Sequence, residues 1–379
     1  MLSSFLMTTF LMTLNMIQFH LQVTVRTCSF LQQELIGMKK YRRALIVILT
    51  VFMFITQQGC AAKTVEPVSR QNFFFDTVCS IAVYDMDKMS EENANKAIQN
   101  AFALCSRYES LLSRTKEGTD IYRINNAGGQ PVECDPETVE VIREGLYYSE
   151  LSEGRFDITI GRVSDLWDFH SEEPAVPSEG SLKEAVETVD WHKVLIDGNT
   201  VTLTDPDTHL DLGGIAKGYI ADRLCEQLRR DGVTSGIISL GGNIACIGSK
   251  GSGSKESPFR VGIEKPYSNQ SQIVGVVEAS DETVVTSGVY QRYFEKDGIQ
   301  YHHILDATTG LPARSDIVGV TLKAADGKSA DCDALATILL IMGEEKAMKM
   351  LEETDGFEAF FILEDGTFAS TEGMGVTAE

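Results

Sequence analysis

A chain of 379 residues with 43% hydrophobic and 23% charged positions and only 9 prolines can bury a core without disulfide staples, which excludes wholesale disorder and fibrous architectures. The first 60 residues hold five of the 33 basic and one of the 55 acidic residues, so the overall charge of −22 becomes 28 basic against 54 acidic, or −26, over the remainder. Such a chain repels a nucleic-acid backbone, and a phosphate-bearing ligand must be held by a local device, a metal ion or backbone amides. The eight cysteines form no CxxC and no Cys/His cluster at zinc spacing, so zinc and dithiol chemistry are not expected. Cys105 and Cys246 lie within apolar patterns and read as small buried hydrophobes.

At the N-terminus, Lys39, Lys40, Arg42 and Arg43 precede the apolar run Ala44 to Ile55, too short to span a bilayer comfortably and suited to the core of an export signal. Gly59-Cys60-Ala61-Ala62 then resembles a bacterial lipoprotein cleavage site, although Gln57 stands where an aliphatic residue is usual. The expectation is a leader over 1–60, with 1–37 preceding a natural start at Met38, lipidation at Cys60, a tether over 61–72 and one domain over 73–370.

Phe73 to Asp85, rich in aromatic and β-branched residues, predicts a strand. Ser90 offers an N-cap to a helix bearing Ala97, Ile98, Ala101, Phe102, Cys105, Tyr108 and Leu112, and Asp135-Pro136 opens another through Val139, Ile142 and Leu146. The segment Leu111 to Gly129 between them reads as turns, and 154–169 as a glycine-bounded strand and loop. Strands are predicted at 236–240, 259–263, 273–279 and 317–324, helices near 329–342 and 344–353, and a hairpin over 357–368. With no strict β-α alternation and no repeat, the fold class is α+β with mostly antiparallel sheet.

Four segments carry polar groups in arrangements that chemistry can use. In His209 to Asp222 a strand runs into Gly213-Gly214 and a helix starts after Ile215, so free N–H groups and Lys217 make a plausible diphosphate cradle, with a tight turn and a surface lysine as the bland alternative. In Ser329 to Gly343, Asp333 and Thr337 are one helical turn apart and suit a hard cation; otherwise Asp331 and Asp333 complement the helix dipole and Thr337 bonds back to the chain. His302 and His303 adjoin Asp306, and a neutral imidazole can take a hydroxyl proton, although at most one of two neighbours on a strand faces a given cleft. Phe156, Asp157 and Trp167 mark a segment where a planar ligand or simple core packing is possible, and Ser239 to Gly248 supplies a further glycine pair.

Taken together, DLGGIAKGYIAD, SLGGNI, TSGVYQRYF with HHILDATTG, and the DALAT block occur in one order that resembles the ApbE family of FAD:protein FMN transferases, over about Phe73 to Gly343. The resemblance implies two subdomains around an FAD cleft, with Mg²⁺ at the diphosphate. It implies Asp333 and Thr337 as metal ligands, joined by the carbonyl of Gly214 and with Ala336 as a further candidate. Asp211 and Lys217 would lie beside FAD, Phe75, Phe156 and Asp157 in flavin-pocket segments, and His303 would activate a hydroxyl. Ser287 and Gly288 would shape the adjacent loop. The implied reaction transfers FMN to a Thr or Ser hydroxyl of an acceptor protein bearing a DxxTG-like motif, releasing AMP, at the outer face of a bacterial membrane reached through the lipid anchor. The implied partners belong to membrane electron-transfer systems. Hydrolysis of FAD by water, or FAD binding without catalysis, remain open alternatives. Ala307 departs from the proline usual after the aspartate of this motif, which puts the role of Asp306 in question, and the loop at Ser113, Arg114 and Thr115 lacks a tyrosine found in some relatives.

Overall fold

The structure, a computed structural model, describes residues 66–378 apart from 86, 170, 172, 252–255 and 269–271. The leader and Cys60 lie outside the described residues, as does the tether up to 65.

In chain order, the elements are β1 (Val68–Phe74), β2 (Thr77–Val83), α1 (Glu91–Leu112), α2 (Asp120–Asn125), β3 (Val132–Glu133), α3 (Pro136–Leu151), α4 (Gly161–Trp167), α5 (Glu179–Val186), β4 (Val194–Asp197) and β5 (Thr200–Leu203). The chain continues through α6 (Ala216–Arg230), β6 (Gly236–Leu240), β7 (Asn243–Ile247), β8 (Phe259–Glu264), β9 (Ile273–Ala279), β10 (Glu282–Gly288), β11 (Tyr293–Lys296), β12 (Ile299–His302), β13 (Leu305–Asp306) and β14 (Leu311–Pro312). It ends with β15 (Ile317–Ala325), α7 (Ser329–Met342), α8 (Glu344–Glu352), β16 (Phe357–Leu363) and β17 (Phe368–Ser370).

Eight strands pair in the order β1-β2-β6-β7-β10-β15-β16-β17, every pairing antiparallel. The period of two along these strands feeds two cores. Val285 of β10, Ala245 of β7 and Phe361 of β16 join the main core with the helices, whereas Val284, Cys246, Phe360 and Ile362 pack with Phe259, Val261, Ile263 and Val277 of the β8–β9 hairpin on the opposite face. On the helical side α6 and α7 lie against each other, α1 against α6, and α7 against β10 and β15. A third cluster around Val163, Trp167, Leu182 and Leu305 gathers α4, α5 and the ribbons near β11 to β14.

Local rules account for the helix starts. The Ser90 hydroxyl accepts from the Asn93 N–H at the head of α1, whose buried face runs Ala94, Ala97, Ile98, Ala101, Cys105, Tyr108, Leu112. Asp135 caps α3, with Pro136 in its first turn. The strands and helices expected in the last third are present, and the fold is α+β with antiparallel sheets and packed helices. Cys105 and Cys246 are free and buried.

Three expectations need correction. The aromatic run beginning at Phe73 is not one strand: Phe75 and Asp76 take φ of +53° and +57° and turn the chain between β1 and β2, so that Val68–Asn72, assigned to the tether, are strand residues. Within the segment read as turns, Thr119 caps the short α2. The segment 154–169 is helical over Gly161–Trp167, and Ile160 makes only a single bridge, to His209.

Candidate active site

The helix α6 begins without a side-chain cap of its own, because Ile215 occupies the N-cap position. The need of its first N–H groups is met from 115 residues away: Asp333 on α7 accepts from the Gly218 N–H at 3.0 Å through Oδ2. Gly218 permits this approach, since a Cβ there would lie 2.1 Å from the Ser329 carbonyl oxygen. Asp222, one turn further along α6, completes the joint by accepting from the Ser329 and Ala330 N–H groups at 3.1 Å each, capping α7 in turn. Burial pushes the Asp222 carboxyl up to about 6 against these hydrogen bonds.

Around Asp333 the surroundings are polar although it is only 3% exposed. The Lys217 ammonium lies 3.7 Å from Oδ2 and donates to the Gly213 carbonyl at 3.0 Å, tying the carboxylate to the paired-glycine turn. The Asn243 amide of β7 donates to Oδ1 at 3.3 Å. Thr337, half-buried one turn along α7, makes a long 3.4 Å bond back to the Asp333 carbonyl. Asp331 is turned away, bonded to the Tyr148 hydroxyl and paired with Lys328 at 2.9 Å. Ala336 is fully buried within α7, where the regular helical pattern engages its carbonyl.

The turn before α6 is held from two sides. Asp211 accepts from the Gly213 N–H at 2.9 Å through Oδ1, while its Oδ2 lies 3.3 Å from Nε of Arg114, which also pairs with Asp165. Arg114 thus links the loop after α1 to the glycine turn, a role its place in that loop did not disclose. Gly214 packs under the Phe156 ring so closely that a Cβ would come within 2.7 Å of it.

The remaining candidates divide. His303 follows β12, and both its N–H (3.1 Å) and its Nδ1 (3.2 Å) face the Arg292 carbonyl. Nδ1 therefore carries the proton and Nε2 the free lone pair. Burial first, then the Arg292 guanidinium and more weakly Lys217, depress its pKa to about 3, so the ring is a neutral base near pH 7. His302 points elsewhere, its Nε2 donating to the Ala313 carbonyl at 3.0 Å. Asp157 is a structural clamp: it accepts from the Thr159 N–H and hydroxyl (2.8 and 2.7 Å) and from the Trp191 N–H (3.0 Å). Trp167 belongs to the core, donating to the Gly310 carbonyl at 2.8 Å. Phe75 is half-buried at its turn, its N–H on Glu109 at 3.1 Å. Ser287 and Gly288 end β10, where Tyr290 packs on the glycine.

Asp306 keeps its turn despite Ala307. It accepts from Arg155 (3.0 Å) and from the Thr308 N–H and hydroxyl (3.0 and 2.6 Å), and the Ala307 N–H donates to the Arg155 carbonyl at 2.9 Å, a bond that proline could not make. A surface groove lined by Arg143, Tyr147, Glu150, Trp191 and His192 contains none of the expected site residues.

The donor set around Asp333 is made of hard oxygens, its carboxylate and the Thr337 hydroxyl, and beside it the buried Asn243 Oδ1 has no hydrogen-bond partner among the described residues. This set fits a Mg²⁺-type ion. Sequence reasoning reached Asp333, Thr337, Lys217 and the glycine pair through their local motifs; Gly218 and Asn243 meet Asp333 only through tertiary contacts.

These same segments fall inside the region, residues 75–361, that matches the model of the ApbE family. Over 341 residues the chain is 33% identical to the FAD:protein FMN transferase of Treponema pallidum, covering 86% of this chain and 93% of that protein. With the FAD:protein FMN transferase of Klebsiella pneumoniae it shares 33% identity over 267 residues, 70% and 81% of the two chains. Among solved structures, the ApbE protein of Thermotoga maritima superposes with a TM-score of 0.73 at 30% identity, covering 81% of this chain and 97% of that one. The flavin transferase ApbE of Vibrio cholerae gives 0.71 at 26% identity, over 81% and 96%. With the α6–α7 joint, the glycine turn and the histidine segment all inside that match, the chain belongs to the ApbE family.

Proposed function

We infer that the protein is an FAD:protein FMN transferase, flavinylating acceptor proteins. The observation that carries this reading is the meeting of Lys217, the Gly213 carbonyl and Asp333 across two helices: a cation, a tight glycine turn and a carboxylate at one place, where a dinucleotide diphosphate and its counter-ion need them. In this reading Asp333 and Thr337 would hold Mg²⁺, joined by the Gly214 carbonyl, and the ion would supply positive charge to offset the diphosphate and the leaving AMP. Lys217 neutralises a phosphate oxygen, Asp211 and Arg114 fix the turn beside FAD, and Phe156 and Phe75 border the flavin. His303 Nε2 accepts the proton of the attacking Thr or Ser hydroxyl, which bonds to the FMN-side phosphorus as the bond to AMP breaks.

The same reading places the enzyme at the outer face of a bacterial membrane, anchored by lipid on Cys60, acting on DxxTG-like segments of electron-transfer proteins. Its support is the basic and apolar run before Gly59-Cys60. Labelled fatty acid incorporated by the wild type and lost in Cys60→Ala supports the anchor; equal labelling of the variant removes it. The enzymatic test incubates purified protein with FAD, Mg²⁺ and an acceptor domain carrying such a segment. Covalent yellow acceptor and stoichiometric AMP support transfer, whereas free FMN and AMP with unlabelled acceptor replace it by hydrolysis.

A further inference from the structure

The glycine pair between β6 and β7 has its own task. Leu240 pairs with Asn243 across a two-residue turn in which Gly241 and Gly242 take φ of +54° and +99°. The turn is pinned: the Gly242 carbonyl accepts from the Thr286 N–H at 3.0 Å, and a Cβ would lie 2.5 Å from Thr77 Oγ1 at Gly241 and 2.9 Å from the Thr286 carbonyl at Gly242. Asn243 is thereby set in the sheet, paired also with Val285 of β10, and only 1% exposed. Its Nδ2 donates to Asp333 Oδ1, which fixes the amide orientation, because the flipped amide would set two acceptors against each other. Its Oδ1 is then left buried with no hydrogen-bond partner among the described residues. A buried amide oxygen without a partner is costly, and native structures rarely keep one without a use.

We propose that Asn243 is a positioning residue of the divalent-cation site: its amide N–H orients the Asp333 carboxylate, and its free Oδ1 accepts a hydrogen bond from a water that the bound cation carries. This deepens the metal reading given above and rests on it. Mg²⁺ and Mn²⁺ commonly retain several waters, and groups that orient a ligand or hold such a water set affinity without touching the ion. A merely structural Asn243 would instead govern the stability of the β6–β7 turn, which its backbone and the two glycines already fix.

The test measures Mn²⁺ binding to the full domain by electron paramagnetic resonance and Mg²⁺ binding by calorimetry, without FAD, in wild type, Asn243→Ala and Asn243→Ser, alongside the thermal midpoint of each metal-free protein. Asn243→Ala is expected to bind either ion about 10- to 100-fold more weakly with its metal-free midpoint maintained. Asn243→Ser, whose hydroxyl both donates and accepts, should fall between, and it carries the test if the alanine variant does not fold. Wild-type affinity in both variants overturns the proposal while leaving the metal site standing. No ion binding by the wild type overturns the metal reading itself and the proposal with it.

Discussion

Gly218→Ala probes the joint on which the site depends. The added Cβ would stand 2.1 Å from the Ser329 carbonyl oxygen, 2.5 Å from its carbon and 2.7 Å from Ala330 Cα, all backbone atoms that cannot rotate aside. Reaching the 3.4 Å of ordinary contact requires the N-terminal ends of α6 and α7 to part by about 1.3 Å, the difference from 2.1 Å. That movement breaks the 3.0 Å bond from the Gly218 N–H to Asp333 and strains the 3.1 Å caps that Asp222 gives α7. Overpacking costs about 1–3 kcal/mol and loss of a hydrogen bond to a charged group about 1.5–3, against a gain of about 1 for alanine in a helix, so a net loss of about 1.5–5 kcal/mol is expected. The thermal midpoint should fall by roughly 2–8 °C. Transfer of FMN measured well below that midpoint should fall further than the folded fraction, because Asp333 is displaced. Gly180→Ala is the control, since its Cβ would meet nothing within 4 Å. An unchanged midpoint and transfer rate in Gly218→Ala would refute the reasoning.

Other outcomes follow from the same geometry. His303→Ala should lower kcat by about 10²- to 10⁴-fold with KM for FAD little changed; because its pKa is about 3, wild-type activity should have no histidine inflection between pH 5 and 8 that the variant removes, and finding one would reassign the base. Asp157→Ala should cost about 2–5 kcal/mol in denaturant unfolding, since it strands the buried Thr159 and Trp191 N–H groups; intact stability with a raised KM would return Asp157 to the cofactor. Burial and then Glu140 raise the Glu144 carboxyl to about 7. Between its unfolded value near 4.5 and 7 the folded state binds more proton, so this residue's stabilisation is complete below that window and lost as pH rises through it. Glu144→Gln should therefore match wild type near pH 4.5 and be more stable at pH 8, and equal stability at both would contradict the assignment.

The periodic elements were legible because their side chains repeat the geometry of the fold: α1 discloses a buried face at helical spacing, α7 an apolar run that the core surrounds, and β9 and β15 read as β-branched strands. The β1–β2 turn was hidden because Phe75 and Asp76 adopt positive φ without glycine to announce it. The capping pattern Thr119-Asp120 was present, but six residues are too few for α2 to reveal a period. In the site, Asp333 and Thr337 share a helical turn and Lys217 follows its glycines, so local spacing suffices. Asn243, Arg114 and Gly218 act across the sheet or between helices, so no local pattern announces them, and the glycine pair before Asn243 was ambiguous by itself. Asp157 shows a different limit: a buried carboxylate near aromatics invites a ligand, and its bonds to Thr159 and Trp191, which only the fold brings together, give it a structural task as well.

The most direct measurement is the intact mass of an acceptor domain after incubation with FAD, comparing wild type with Asp333→Ala, each with Mg²⁺ and with chelator. Addition of one FMN to a single Thr or Ser by the wild type with Mg²⁺, matched by released AMP and absent from the other three reactions, is the predicted result. Labelling of the acceptor by folded Asp333→Ala, or by the wild type in chelator at an undiminished rate, would contradict it.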